Sequence, residues 1–303
     1  MIKNVLLVSL CLLFLGCKEE VTTFSFRSFT QGSPSITGKE SYLKSPMVTA
    51  GDRVYSVGHQ DGTFPELGWH ITGEMGGIWN HPIKLMDGFE ISLIEKQTGD
   101  RFVLNDAEAF TNFPYANKHD FTWANKHLEL ERWQFVPVGK NGLAVQLLLK
   151  NNGQAKEFQV GFEGFVDLLP TWLGERTQMV DSTDTGTFDA TKDAWMAKDD
   201  GNPWFVVFGS DHTSFDHNTN KSTYAGKGIL ANLYYNIAIG EGETTVMNFT
   251  IAGSTVSEVE AWNTYQSISD QLETDVAQKR ARYESIANST RLTIPDKEIE
   301  QAF

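Results

Sequence analysis

The chain has very few cysteines for its length. Its 303 residues contain two, Cys11 and Cys17, and both lie within the first 17 positions. A disulfide framework needs a cysteine pair in the folded region, and cysteine-based zinc sites need closely spaced cysteines. The residues after Cys17 therefore cannot form an internal disulfide, and a cysteine-ligated metal is excluded there.

Basic side chains are also scarce. There are 25 Lys and Arg against 39 Asp and Glu, which gives a formal net charge of -14. Nucleic acids and anionic lipid headgroups bind basic surfaces, so this balance argues against a nucleic-acid partner. The apolar fraction of 40% and the aromatic fraction of 12% are enough for a large core,. An acidic, aromatic-rich composition is typical of proteins that bind neutral ligands, sugars among them.

The common catalytic and metal-binding motifs are missing. The sequence has no HExxH, no CxxC, no GxSxG elbow and no glycine-rich phosphate loop,. His212 and His217 lie close together in a polar loop without such a partner. Asp181, Asp184 and Asp189 depart from the spacing of a calcium-binding EF-hand loop and read better as a polar turn,. We therefore expect no metal and no cofactor.

The first 16 residues have the pattern of a secretory signal peptide. Lys3 precedes a largely apolar stretch from Val5 to Leu15, which is too short to span a bilayer comfortably,. Gly16 followed by Cys17 resembles the bacterial lipobox, in which the cysteine is diacylated and becomes the mature N-terminus. We expect a signal peptide over 1–16, lipid attachment at Cys17 and a tether over 17–24.

The residues after Cys17 indicate where in the cell envelope the protein is located. The segment 18–20 reads Lys-Glu-Glu, and it resembles the export tag of Bacteroidetes lipoproteins that reach the outer face of the outer membrane. We therefore expect a lipid-anchored protein of the outer membrane, exposed at the cell surface.

Residues 25–255 show the short periodicity of β-strands. Runs rich in Val, Ile, Phe and Tyr alternate with Gly, Asn and Asp turns, and no helical pattern separates them,. The pairs 89–96 with 101–104 and 233–239 with 245–252 are predicted hairpins, the second closed by Gly240–Glu243,. The pattern excludes a parallel βαβ sheet and predicts a large antiparallel β-sandwich.

The pattern becomes helical after residue 255. Residues 258–287 contain no Pro or Gly and carry apolar residues at helical steps, which predicts a long linker helix over 256–289, or two helices with a break near 267–270,. In 290–303, Pro295 and Asp296 are helix-start signals, and Ile299, Ala302 and Phe303 form an apolar stripe,. We expect this stripe to begin a helical domain that continues beyond Phe303, or else to fold back on the preceding chain.

This order of parts resembles the N-terminal region of bacterial six-hairpin glycosidases, the glucoamylase-like and glycogen-debranching-like enzymes. The resemblance rests on the junction at 293–303, on Met75–Phe89, and on Leu169–Arg176 with Asp181 and Asp184. It implies an N-terminal supersandwich, a helical linker and an (α/α)6 barrel. It also implies that the catalytic carboxylates lie on barrel loops, so that no catalytic residue lies in this sequence.

Five residues are candidates for contact with carbohydrate or with the barrel. Carboxylates beside aromatic rings suit a sugar site, because rings stack on the apolar face of a pyranose. The competing interpretations are a loop held by an Arg176 ion pair, a loop shaping the barrel entrance, and, for any single Trp, a place in the core. The candidates are Trp79, Trp172, Glu175, Arg176 and Asp181.

Together these features predict a non-catalytic N-terminal domain, as a fragment of a cell-surface glycoside hydrolase. The parent protein would act on α-glucan or a related polysaccharide, and this domain would pack on the barrel and shape its active-site entrance. The first alternative is a free-standing glycan-binding outer-membrane lipoprotein. The second is a structural envelope lipoprotein.

Overall fold

The computed structural model describes residues 24–68, 73–171, 178–219, 226–290 and 292–302. Of the predicted functional residues, Cys17, Trp172, Glu175 and Arg176 lie outside these ranges. The described residues form 17 strands, the helices α1 (Phe26–Phe29), α2 (Glu258–Ser289) and α3 (Lys297–Ala302), and 3-10 turns at Glu40–Tyr42 and Ala124–Lys126.

Nine strands form the first sheet, sheet A, and neighbouring strands pair antiparallel. In spatial order they are β1 (Ile36–Thr37), β7 (Ala109–Asn112), β8 (Asn117–Trp123), β9 (Leu128–Phe135), β10 (Gly142–Asn151), β17 (Thr244–Ser254), β14 (Phe205–Ser210), β13 (Ala194–Asp199) and β12 (Asp184–Asp189).

Eight strands form the second sheet, sheet B, also with antiparallel pairing. In spatial order they are β15 (Asp216–Thr219), β16 (Ile229–Ile239), β11 (Lys156–Pro170), β5 (Ile83–Glu95), β4 (Gly77–Asn80), β3 (Tyr55–His59) and β2 (Pro46–Ala50), while β6 (Arg101–Val103) pairs with β5.

The core lies between the two sheets. Along β11, buried and half-buried residues alternate for most of its length, because successive side chains of a strand point to opposite faces,. Phe162 points inward and stacks at 5.2 Å on Phe89 of the same sheet and at 4.9 Å on Phe249 of the facing sheet. The predicted large antiparallel β-sandwich is confirmed.

Helix α2 packs on the outer face of sheet A. The Ser257 side chain caps it by accepting a hydrogen bond from the Glu260 amide, and its buried stripe includes Trp262, Tyr265 and Ile268,. The helix is kinked at Gln271, where the backbone leaves helical geometry, close to the predicted break at 267–270. The predicted long helix is thus present with a kink that lies one residue beyond the predicted break, and its buried residues, from Ala261 to Lys279, lie in its first two-thirds.

The predicted hairpin around Gly240–Glu243 is wrong. Strand β16 pairs in sheet B and β17 pairs in sheet A, so this turn passes from one sheet to the other. Asn151 holds the crossing, since its amide donates to the Glu243 carbonyl at 2.9 Å and its side-chain amide donates to the Ile239 carbonyl at 3.1 Å. The predicted pair 89–96 with 101–104 is confirmed as β5 and β6.

The C-terminal helix begins as predicted. The Asp296 carboxylate accepts hydrogen bonds from the amides of Glu298 and Ile299, both at 3.1 Å. The Ile299 side chain is 56% exposed, whereas Phe303 lies outside the described residues. Over the described ranges, no helix combines the length and the apolar character needed to cross a bilayer.

Candidate functional site

Three aromatic side chains stack at one end of sheet B. Tyr55 and Trp79 are cross-strand partners in β3 and β4, so their rings share one face of the sheet,. His81 stacks on both, with ring centroids 5.4 Å from Tyr55 and 5.8 Å from Trp79. The Tyr55 hydroxyl lies 2.7 Å from His81 Nε2 and fixes the imidazole. The exposed ring of this stack is His81.

Trp79 is the buried ring of this stack. Its side chain is only 2% exposed, and its indole N–H donates to the Gly76 carbonyl at 2.9 Å. The Lys84 ammonium lies 5.1 Å from the indole ring and donates to the Gly73 carbonyl at 2.6 Å and to Asp87 at 2.7 Å. The predicted sugar contact of Trp79 stays a prediction, and in this conformation the surface available for stacking belongs to His81.

Four aspartates lie near the same end of sheet B, where β11 ends. Asp184 Oδ2 accepts from the Leu168 amide at 2.8 Å, and Asp199 Oδ2 accepts from the Ser182 amide at 2.8 Å. The first bond ties the start of β12 to the end of β11, and the second ties Ser182, just before β12, to the end of β13. One carboxylate oxygen each of Asp181 and Asp184 is buried without a hydrogen-bond partner among the described residues. Asp167, on the outer face of β11, completes the group.

Burial raises the pKa of three of these carboxyls, Asp167, Asp181 and Asp184. It raises the pKa of Asp184 to about 8, with further upward contributions from the neighbouring Asp167, Asp199 and Asp181,. Burial, followed by the charge of Asp87, raises the pKa of Asp167 to about 7. Burial also raises the pKa of Asp181, although its ion pair with Lys227 at 3.2 Å opposes the rise. At neutral pH Asp184 thus keeps its proton, and Asp167 is partly protonated.

Polar side chains continue across the outer face of sheet B. Cross-strand pairing aligns Asn218, Asn232, Glu163 and Glu90 in one row. Asn232 donates to Asn218 at 2.8 Å, and Arg101 donates to Glu90 at 2.9 Å. Burial and the charge of Glu90 raise the pKa of Glu163. The row thus offers amide and carboxyl groups that can exchange hydrogen bonds with hydroxyl groups.

Two of the five predicted contact residues, Trp79 and Asp181, are among the described residues, and they lie in one region. Trp79 and Asp181 lie at the same corner of sheet B, linked through Lys84 and Asp167, whose charges interact. Trp172, Glu175 and Arg176 belong to the segment between β11 and Asp181 and lie outside the described residues. Cys17 also lies outside them.

Asp184 was singled out from the sequence with Asp181 and the segment 169–176, whereas Tyr55, His81 and Asp167 were not predicted as members of this site. The alternation of β11 was a usable signal, because it places residues 163, 165 and 167 on one face,. The polar residues Gln159, Glu163 and Asp167 mark the outer face of the strand, but which residues of other strands lie beside them cannot be read from that strand alone. Within the described ranges, no group of three or more His, Cys, Asp or Glu side chains is arranged to hold a metal ion.

Comparison with known proteins gives similarity of fold only. No protein-family model matches the sequence, and no curated protein matches it. Among solved structures, the chain aligns with a protein assigned as a kojibiose phosphorylase from the human microbiome at a TM-score of 0.55 and 9% identity. This alignment covers 82% of the chain and 37% of the phosphorylase.

Two further alignments have lower scores. An aldose 1-epimerase-type protein from Escherichia coli K12 gives a TM-score of 0.48 and 8% identity over 70% of this chain and 99% of that one. A bacterial glucoamylase solved with acarbose gives a TM-score of 0.48 and 11% identity, over 82% of this chain and 36% of the glucoamylase. Scores below 0.5 do not establish a common fold. The phosphorylase alignment shows that this chain shares its fold with part of a carbohydrate-active enzyme.

Proposed function

We propose that this chain is a non-catalytic, glycan-contacting sandwich domain of a cell-surface glycoside hydrolase. The observation that carries the proposal is the exposed His81 ring, held by Tyr55 and stacked over Trp79, at the end of sheet B where the Asp167 carboxyl is partly protonated at neutral pH. The fold shared with part of a carbohydrate-active enzyme supports it.

A neutral glycan suits this site better than a charged one. Aromatic faces stack on the apolar side of a sugar ring, and carboxyl and amide groups exchange hydrogen bonds with its hydroxyls. An acidic glycan would be repelled by the carboxylates of Glu90 and Asp87 and by the net charge of -14,. The ligand we propose is α-glucan or a related uncharged polysaccharide.

Exposed apolar residues on the helices support packing against a further domain. Val259 is 67% exposed and Ile286 is 57% exposed on α2, and Ile299 is 56% exposed on α3. Large apolar side chains at such exposure often mark an interaction surface when they recur along one element. We propose that a catalytic barrel of the parent enzyme covers them, that the sandwich helps to shape the barrel entrance, and that Cys17 carries the lipid anchor in the outer membrane.

Glycan binding by the soluble chain tests the proposal. We expect retention on insoluble starch and measurable heats on titration with malto-oligosaccharides. His81→Ala should weaken binding at least about tenfold, the loss of about 1.4 kcal/mol of contact energy. Tyr55→Phe keeps the ring but removes the hydrogen bond to His81, so a smaller loss is expected.

Tyr283→Ala serves as the matched control, because Tyr283 is an exposed aromatic residue on α2, which packs on sheet A. Its binding should equal that of the wild type. Equal affinity of His81→Ala and wild type would rule out the aromatic stack as the contact. No retention on any glycan would refute both this function and the first alternative, a free-standing glycan-binding lipoprotein, and would leave the structural envelope protein.

The same stack would serve a free-standing binding lipoprotein, so binding alone does not separate the first two functions. The genomic reading frame beyond codon 303 does. A frame that continues into helical hairpins supports the enzyme domain, and a stop codon there supports the binding module.

A further inference from the structure

A second group of polar side chains lies inside the sandwich, between β8 and β9 of sheet A and β2 and β3 of sheet B. Cross-strand pairing sets Asn117 opposite Gln134 and His119 opposite Arg132 in β8 and β9. The hydroxyl of Thr49, on β2, accepts from Asn117 and donates to Gln134 at 3.3 Å, so the group joins the two sheets. We call these residues, with Ser56 and Gln60 of the β2–β3 side, the inter-sheet polar cluster.

Arg132 is the charged member of the cluster, and it is fully buried. Its guanidinium lies between the rings of Phe89 and Phe121, 5.4 Å and 5.9 Å from their centroids. Nη1 donates to the Gly62 carbonyl at 2.9 Å and more weakly to the Leu104 carbonyl at 3.4 Å. The three N–H groups of Nε and Nη2 have no acceptor among the described residues.

The cluster collects most of the unpaired buried polar atoms. Among the described residues, seven of the eleven buried side-chain atoms without a hydrogen-bond partner belong to it. Besides the two Arg132 nitrogens they are Ser56 Oγ, Gln60 Oε1, Asn117 Oδ1, His119 Nδ1 and Gln134 Nε2. Buried polar groups in proteins are nearly always paired, with protein or with ordered water.

The unpaired atoms include both donors and acceptors. His119 Nε2 lies 3.3 Å from the His59 carbonyl, which can only accept, so Nε2 carries the proton,. Burial lowers the pKa of His119 well below its ordinary value, and its ring is therefore neutral, with Nδ1 as an acceptor. Gln60 Oε1 and Asn117 Oδ1 are also acceptors, whereas Gln134 Nε2 and the Arg132 nitrogens are donors.

We infer that the inter-sheet polar cluster is a binding site for ordered water that bridges the two sheets. Five N–H groups, three acceptor atoms and the Ser56 hydroxyl need about nine hydrogen bonds, and a buried water makes about three, so about three waters satisfy the cluster,. A bound anion would pair with the donors alone and would be repelled by the nearby carboxylate of Asp61. A metal cation would be repelled by the guanidinium of Arg132.

A crystal structure of the full chain at about 1.5 Å resolution or better tests this inference. We expect about three waters within about 3.2 Å of Arg132 Nε and Nη2, Gln134 Nε2 and His119 Nδ1. A second crystal soaked in sodium bromide should show no anomalous peak in the cluster. Direct side-chain bonds with no water would overturn the inference, and so would a bromide peak beside Arg132.

Variants provide a second test, in which the number of ordered waters in the cluster is counted rather than the stability of the fold. Gln134→Met removes one donor group, so one water should be lost from the cluster. Arg132→Met should remove the waters beside Nε and Nη2, and if that variant does not fold, Gln134→Met still decides. Gln146→Met is the matched control, since the Gln146 amide is paired with Phe24, Phe26 and Asn248. It should leave the water count of the cluster unchanged, and unchanged waters in Gln134→Met would contradict the inference.

Discussion

Replacing Asp184 with Asn should change how the stability of the chain depends on pH. Asp184 is only 2% exposed, and burial raises its pKa from an ordinary 3.8 to about 8. In the unfolded chain the carboxyl ionises above its ordinary pKa, whereas the folded chain keeps it protonated up to about pH 8. The folded state thus binds more protons over this interval, so the free energy of unfolding of the wild type falls as pH rises.

The expected magnitude follows from this pKa. Between pH 5 and pH 8 the carboxyl costs about 1.4 kcal/mol per pH unit, or about 4 kcal/mol in total. Asn cannot ionise, and its side-chain oxygen can still accept from the Leu168 amide, as Asp184 does at 2.8 Å. The stability of the variant relative to the wild type should therefore rise by about 4 kcal/mol between pH 5 and pH 9, which changes the difference in melting temperature by about 10 °C.

The assay is thermal and urea unfolding, followed by circular dichroism from pH 5 to pH 9 at constant ionic strength. Asp189→Asn is the control, because the hydrogen bond from the Thr191 hydroxyl, together with the Thr191 and Lys192 amides, lowers the pKa of Asp189. Its carboxyl is ionised in both states throughout this range, so its variant should differ from wild type by a constant amount. A flat difference for Asp184→Asn as well would refute the reasoning.

Four further predictions concern other parts of the chain. Burial lowers the pKa of Lys279 to about 8, so the unfolded chain binds more protons than the folded chain between pH 8 and pH 10.5,. Over this range the free energy of unfolding of the wild type should rise by about 3 kcal/mol relative to that of Lys279→Met. The same pH dependence in both proteins would contradict this. Phe162→Ala removes a ring stacked between Phe89 and Phe249 and should cost about 3 to 5 kcal/mol in urea unfolding,. Deletion of residues 290–303 should change the melting temperature by less than about 2 °C, because Ile299 is 56% exposed,; a larger drop would show that this segment packs on the sandwich. Cys17→Ser should abolish incorporation of labelled palmitate in cells, and persistent labelling would exclude Cys17 as the lipid site.

Local patterns predicted the class of fold. The strand periodicity of 25–255 and the helical periodicity of 256–289 depend on neighbours a few residues apart, and the structure has an antiparallel sandwich followed by a long helix. The hairpin at Gly240–Glu243 shows where local reasoning stops. Its turn residues suit a hairpin, yet β16 pairs with β11 over eleven residues and β17 pairs with β10 over nine. Long-range pairing and the bonds of Asn151 decided the outcome.

The residues of the candidate site were likewise predictable from the sequence only in part. Trp79 and Asp181 could be named from the sequence because an aromatic residue and a carboxylate near turns suggest a sugar site. Their grouping with Tyr55, His81 and Asp167 could not, since these residues come from β3, from the residue after β4 and from β11. Only the lateral order of the strands in sheet B brings them to one corner.

The sequence by itself determined the acidic character, the lack of a disulfide after Cys17, the antiparallel sandwich and the long helix that follows it. These properties depend on composition and on periodicity, which are local. The tertiary structure decided which side chains of different strands lie together, and with it the raised pKa values of Asp167 and Asp184 and the inter-sheet polar cluster around Arg132. Burial and charge proximity arise between residues distant along the chain, so they appear only when both sheets are assembled.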